Sequence, residues 1–195
     1  MTSISSTPTG FERGDVIPVH QGEFQVSSDQ QTTFSTVLGS CVAACVRDTI
    51  AGVGGMNHFL LAEQSSAARG KFGASARYGA FAMEQLINRI LVEGTGDKSN
   101  LEVKLFGGGR INTTLADIGA KNIAFVREFL RAEGYAVKSE DMGGSYARRV
   151  LFKPASGRAI CKRLDSAWGN TIGREELAIA RRGPATRPAV EIELF

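Results

Sequence analysis

Between Asp15 and Asp165 the chain alternates short stretches in which every second residue is apolar with two longer stretches in which apolar residues recur every three or four positions. The first pattern fits half-buried strands and the second fits amphipathic helices. Val16-Ile17-Pro18-Val19, Glu23-Phe24-Gln25-Val26 and Thr33-Phe34-Ser35-Thr36-Val37-Leu38 read as three short strands. Val42–Val46 and Val53–Leu61 are apolar runs separated by Arg47-Asp48-Thr49-Ile50-Ala51-Gly52, which predicts a β-hairpin. Ala76, Ala80, Met83, Ile87, Ile90 and Leu91 fall on one helical stripe, predicting a helix over 75–93 that stops at Gly94.

Leu101–Phe106 alternates as a strand and runs into Gly107-Gly108-Gly109. The stripe Ile123, Val126, Phe129 and Leu130 then marks a second helix ending at Gly134. Three further strands are expected near 135–140, 148–153 and 158–164, the last two joined by the turn Pro154-Ala155-Ser156-Gly157. Residues 1–14, rich in Ser, Thr, Pro and Gly, read as a flexible N-terminal segment, and 15–165 as the folded domain. Residues 166–195 read as a peripheral extension in which only Arg174–Arg182 could form a short basic helix. The expected class is α+β, a mixed or antiparallel sheet system with helices packed outside.

Composition narrows the function classes. A chain of 195 residues with 43% hydrophobic residues can build a core without a metal or disulfide staple. Its 23 basic and 20 acidic residues are scattered, so nucleic-acid binding gains no support. Three cysteines make an odd count without the spacing of a secreted disulfide framework, which suits a reducing cytoplasm. No run of about 18 apolar residues exists, so no direct membrane insertion is expected.

The chemistry-bearing residues are few. The two histidines are His20, in a polar stretch and read as a surface residue, and His58, in the second arm of the predicted hairpin. A hairpin centred between Thr49 and Ile50 would set His58 directly opposite Cys41, with Cα atoms roughly 4.5 to 5.5 Å apart. A thiol needs such a base, because only a few per cent of an ordinary cysteine is thiolate at neutral pH. The pairing also requires sulfur and imidazole to lie on one side of the sheet at an accessible surface.

Around these two residues the chain resembles one family closely. Leu38-Gly39-Ser40-Cys41-Val42, followed by Gly54-Gly55-Met56-Asn57-His58-Phe59-Leu60-Leu61, is similar to the signature of the chemoreceptor glutamine deamidases, the CheD family. Lys104-Leu105-Phe106-Gly107-Gly108, then Ile118-Gly119 with Asn122 and Phe125-Val126, resemble its later blocks. Asp141-Met142-Gly143-Gly144 and Arg148-Arg149-Val150-Leu151-Phe152, down to Gly157-Arg158, follow in the same order.

The resemblance covers about 15–165. It implies a β-sandwich flanked by α-helices, shared with the catalytic domains of certain cysteine deamidase toxins. It also implies a hydrolase that acts in chemotaxis on glutamines of cytoplasmic chemoreceptor regions, with no cofactor. Esterase activity on glutamyl methyl esters and a CheC-type phosphatase partner are further implications. The family's nucleophile maps to Cys41, its base to His58, and its third member to Ser35, six positions before the cysteine. Thr36 is the rival, and strand alternation would point the two hydroxyls to opposite faces. Gly39, Ser40 and Asn57 are expected near the substrate and oxyanion.

Other readings compete with this one. The fold could serve as a non-catalytic adaptor that binds receptors or the phosphatase. Cys41 and Cys45 as a metal pair would be about 13 Å apart on one strand, too far for one zinc ion, and Cys45 and Cys161 read as core residues. Phe106–Arg110 lacks the lysine and hydroxyl residue of a P-loop, so a structural turn is expected there. Arg148-Arg149 reads as the charged edge of an exposed strand.

Overall fold

In the computed structural model, the period-two and helical stretches become nine strands and two helices among the described residues, which are 14–61, 74–111, 116–165, 171, 172 and 174. The strands are β1 (Val16–Pro18), β2 (Phe24–Ser27), β3 (Thr33–Leu38), β4 (Val42–Asp48), β5 (Gly54–Asn57), β6 (Leu101–Gly107), β7 (Val137–Met142), β8 (Arg148–Lys153) and β9 (Arg158–Arg163). The helices are α1 (Ala74–Glu93), between β5 and β6, and α2 (Ala116–Ala132), between β6 and β7. The expected residues 1–13, and nearly all of the expected helix 174–182, lie outside the described residues.

Two mixed sheets result, one of order β1-β3-β8-β9 and one of order β2-β5-β4-β6-β7. They meet face to face. Phe34 and Leu38 of β3 and Val150 and Phe152 of β8 share one core with Ala43 and Cys45 of β4, Met56 of β5 and Phe106 of β6. The other face of the larger sheet carries Val42, Ala44, Val46, Val103 and Leu105 against Met83, Leu86 and Ile90 of α1 and Val126 and Leu130 of α2. The layers are therefore sheet, sheet, helices, in agreement with the expected α+β class. Strand β4 lies in the middle layer, which explains why it is an apolar run and not an alternating one: each of its faces meets a core.

Three local expectations are corrected. The β4–β5 hairpin is centred between Ile50 and Ala51, one residue later than expected, with Cys45 opposite Met56 and Arg47 opposite Gly54. Asp48 holds this turn: its N–H donates to the Val53 carbonyl (2.8 Å), and its Oδ1 accepts from the amides of Ile50 and Ala51. Strand β7 starts at Val137, after Tyr135 is drawn into the helix-side core, and it pairs parallel to β6 as a strand–helix–strand crossover. Strand β8 is no exposed edge but lies between β3 and β9. Arg148 is fully buried, donating to the carbonyls of Gly107 and Gly143 and pairing with Asp141 at 3.2 Å, whereas Arg149 is exposed.

Candidate active site

The corrected register moves His58 away from direct opposition to Cys41 but keeps the two on one face. Val42 and Phe59 are the paired residues, bonded in both directions (Val42 N–H to the Phe59 carbonyl 3.0 Å, and the reverse 2.9 Å). Both turn toward the helices. Their neighbours Cys41 and His58 therefore turn the other way, toward the space between the sheets, as diagonal neighbours whose Cα atoms in such a register are roughly 7–8 Å apart. Cys41 joins the inter-sheet core, and the His58 ring reaches Thr36 of the smaller sheet.

The third polar residue is Thr36, not Ser35. Phe34, Thr36 and Leu38 form the inward face of β3, while Ser35 and Val37 lie on the other, half-buried face. The Thr36 hydroxyl is 2.8 Å from His58 Nδ1 and 2.8 Å from the Val19 carbonyl oxygen. A hydroxyl has one proton, and the carbonyl can only accept. That proton therefore goes to Val19, and Thr36 accepts from Nδ1–H, which leaves Nε2 as the basic nitrogen of the neutral ring. Spacing from Cys41 favours Ser35, whereas the alternation Phe34-x-Thr36-x-Leu38 sets the rival Thr36 on the face that meets His58.

The segment before β2 completes the wall. Gly22 N–H donates to the His58 carbonyl (2.7 Å), and His58 N–H donates to the Glu23 carbonyl (3.0 Å). Val19 N–H donates to the Ser35 carbonyl (2.9 Å). Residues 19–23 are thereby tied to β3 and to the end of β5, and the Cys41 thiol meets Gln21 Oε1 at 3.6 Å. A cleft of about 460 Å³ runs along this segment, lined among others by Gln21, Thr36, His58, Arg149 and Ile172. His20, exposed as expected, also lines it. Ile172, inside the segment expected to be peripheral, is buried against the cleft.

The expectation of an exposed sulfur is not met. Cys41 has no exposed surface, while His58 retains 7%. Gln21, half-buried, lies on the cleft wall and touches the sulfur, so one side chain of this tied-down segment is part of the cover. The Tyr78 ring is close enough for Cys41 to matter to it: burial first, and the nearby Cys41 second, push its hydroxyl above its ordinary value, so it stays a neutral phenol.

The remaining expected residues support the backbone of the site. The glycine loop is a structural turn bonded to the chain around Cys41: Gly108 N–H donates to the Cys41 carbonyl (2.7 Å), and Gly109 N–H to the Gly39 carbonyl (2.6 Å). Gly107 must be glycine, because its φ is +116° and a Cβ would lie 2.1 Å from the Cys41 carbonyl oxygen. Asn122, fully buried, donates to the Ser40 carbonyl (2.8 Å) and accepts from Leu61 N–H (2.8 Å), clipping α2 to the strand ends. Asn57 turns toward α1, away from the face that carries Cys41 and His58, accepting from Ala44 N–H (2.9 Å) and donating to the Ala82 carbonyl (3.1 Å). Cys45 is buried in the core with its thiol pushed up strongly by desolvation, and Cys161, half-buried against that core, is pushed up to about 11, mainly by burial, which disfavours both thiolates. Among the described residues no cluster of three or more His, Cys, Asp or Glu could hold a metal ion, and no helix is long and apolar enough to cross a membrane.

Comparison with known proteins points the same way as the motifs. The family model described as CheD chemotactic sensory transduction matches residues 60–163. A probable chemoreceptor glutamine deamidase of Ruegeria sp. (strain TM1040) is 49% identical over 182 residues, covering 92% of this chain and 94% of its own length. Another from Methylobacillus flagellatus is 44% identical over 187 residues, covering 94% of this chain and 90% of its own. Spans of that size take in Cys41 and His58, which precede the stretch matched by the family model. Among solved structures, a Neisseria meningitidis protein of the DUF152 family model aligns with a TM-score of 0.40 and 11% identity, covering 68% of this chain and 63% of that one.

Proposed function

Since this chain belongs to the CheD family, we propose that it is a protein-glutamine deamidase that converts glutamines of chemoreceptors to glutamates through a thioester on Cys41. The observation that carries this reading is the Thr36–His58 contact, which fixes the ring tautomer with Nε2 basic on the same sheet face as Cys41. In the proposed reaction Cys41 gives its proton to His58 Nε2, and the sulfur attacks the side-chain amide carbon of the substrate. The carbonyl electron pair moves onto oxygen. When it returns, the carbon–nitrogen bond breaks, and the proton on Nε2 goes with the nitrogen as ammonia.

The thioester is then opened by water. His58 Nε2 takes a proton from the water as its oxygen attacks the thioester carbonyl, the carbon–sulfur bond breaks, and the thiolate recovers its proton from His58. The product is a carboxylic acid that ionises at neutral pH, so the receptor gains one negative charge. Thr36 holds the imidazole in orientation and stabilises the imidazolium through Nδ1–H. A glutamyl methyl ester presents the same carbonyl with a better leaving group, so ester hydrolysis follows from the same steps.

Mass spectrometry of a receptor cytoplasmic fragment incubated with the protein tests the proposal. The expected result is a gain of about 1 Da at particular glutamines, absent with Cys41→Ala. Equal conversion by the Cys41→Ala protein, or none by the wild type, would contradict it.

A further inference from the structure

A tetrahedral intermediate on Cys41 needs hydrogen-bond donors for its oxygen, and the expected residue Asn57 faces the helices instead. Gln21 is differently placed. Its amide both lines the cleft and touches Cys41 Sγ, 3.6 Å from Oε1. An oxygen on a carbon newly bonded to that sulfur must develop within the same small volume, so the amide of Gln21 is one of the groups in reach of it.

Which end of the amide faces the sulfur depends on the proton. A thiol donates, so it meets the carbonyl oxygen, as observed. Once His58 has taken the proton, the sulfur is an anion that repels Oε1 and attracts Nε2–H, and a half-turn of the terminal amide exchanges the two. The contact also argues against Gln21 being a substrate of its own enzyme. A sulfur in hydrogen-bond geometry to the oxygen is farther from the amide carbon than the roughly 3–3.5 Å of a near-attack arrangement.

The backbone under Gln21 is fixed, as a preorganised donor requires. Gly22 N–H and the Glu23 carbonyl bond the two backbone polar groups of His58, and Glu23 N–H closes the turn onto the His20 carbonyl at 3.0 Å. Gly22 has φ +86°, and a Cβ there would lie 3.2 Å from the Tyr78 hydroxyl, so α1 packs closely under the turn. Donor and base therefore hang from one bonded unit, and neither moves without the other.

Resting on the deamidase reading, we propose that Gln21 is a further catalytic residue, whose side-chain amide donates to the oxyanion formed on the substrate carbonyl. The test uses the full chain, a receptor cytoplasmic fragment, and two readouts: ammonia release, and alkylation of Cys41 by iodoacetamide. Alkylation is a displacement at saturated carbon and forms no oxyanion. Gln21→Ala is expected to lower kcat for ammonia release by roughly 10²- to 10³-fold with KM within about threefold. Alkylation should stay as fast as in the wild type or become faster, since part of the cover is gone. Gln21→Glu, similar in shape but without the amide donor, should be at least as impaired in ammonia release.

A kcat within threefold of wild type for Gln21→Ala would overturn the proposal. A faster ammonia release would overturn it too, and would make Gln21 a mere cover on the sulfur. A parallel collapse of both readouts would reduce its role to holding the site together. Loss of the difference between wild type and Cys41→Ala would sink the deamidase reading itself and this role with it, an outcome separable from the others because it does not involve Gln21.

Discussion

Cys41 and Cys45 stand four residues apart, at the end and in the middle of the same stretch of chain, on the same inter-sheet face, and equally out of solvent. Burial therefore does not distinguish the two thiols. Their neighbours do. Cys45 is paired with Met56 in its own sheet and shares an apolar core with Val150 and Phe152, where desolvation strongly disfavours its thiolate. Beside Cys41, polar groups from three other segments come together: Gln21 from the turn before β2, His58 from the end of β5, and Thr36 of β3 behind it. On the proposed reading, what faces the thiol, and not its depth, sets its reactivity.

The sharpest way to break that contrast is to remove each sulfur in turn. Cys41→Ala should lower deamidation by at least about 10⁴-fold. Cys45→Ala should leave kcat within about threefold and instead cost roughly 1–2 kcal/mol of stability in a urea melt, the loss of a small buried side chain. If both variants lost activity equally while remaining folded, the distinction between the two thiols would fail.

A smaller effect is expected one step back from the sulfur. Thr36→Val keeps the shape of the side chain but leaves the Val19 carbonyl and His58 Nδ1 without the hydroxyl between them, and should reduce kcat roughly 10- to 100-fold. Thr36→Ser should restore most of it. Ser35→Ala should have the weaker effect of the two positions; the opposite order, measured as ammonia release, would return the third role to Ser35.

The far end of β4 offers the smallest test, and one that concerns stability alone. Asp48 is as buried as Cys41, but its carboxylate is saturated by its own surroundings. Burial works against its ionisation, yet the hydroxyl and amide of Thr95 with the amides of Ala51 and Ile50 prevail, holding the group at about 2. Because that is below its value in an unfolded chain, about 3.9, the stabilisation is complete above about pH 4 and is lost as the pH falls toward 2. Asp48→Asn should therefore be less stable by about 2 kcal/mol at pH 7, with the gap to wild type closing near pH 2. Deamidation by the folded variant should change little.

How far the site was legible in the sequence follows from the same geometry. Strand β3 and both helices were readable because one face of each meets a core and the other does not, so periodicity survives. The hairpin was readable, but its register was not, because Asp48 decides the centre of the turn through side-chain bonds that no hydrophobic pattern records. The face of Asn57 became predictable only once that register and the position of α1 were known. Gln21 left no trace at all: a glutamine before a glycine reads as an ordinary connector, and its place beside Cys41 follows from the backbone bonds that its neighbours Gly22 and Glu23 make with His58. Arg148 was misread for a related reason, since a charge in a strand suggests an edge until the glycine carbonyls that satisfy it are in view.

The central claim is that His58, steadied by Thr36, activates a sulfur that is otherwise as buried as Cys45. The most direct measurement is the rate of Cys41 alkylation by iodoacetamide from pH 5 to pH 9, in wild type and in His58→Ala, with labelling sites read by peptide mass spectrometry. The account predicts that wild-type Cys41 still reacts near pH 6, where an unassisted thiol with a value near 8.5 is almost wholly protonated, that this low-pH reactivity disappears in His58→Ala, and that Cys45 stays unlabelled in both. Superimposable profiles for the two proteins, or labelling of Cys45 as readily as Cys41, would contradict it.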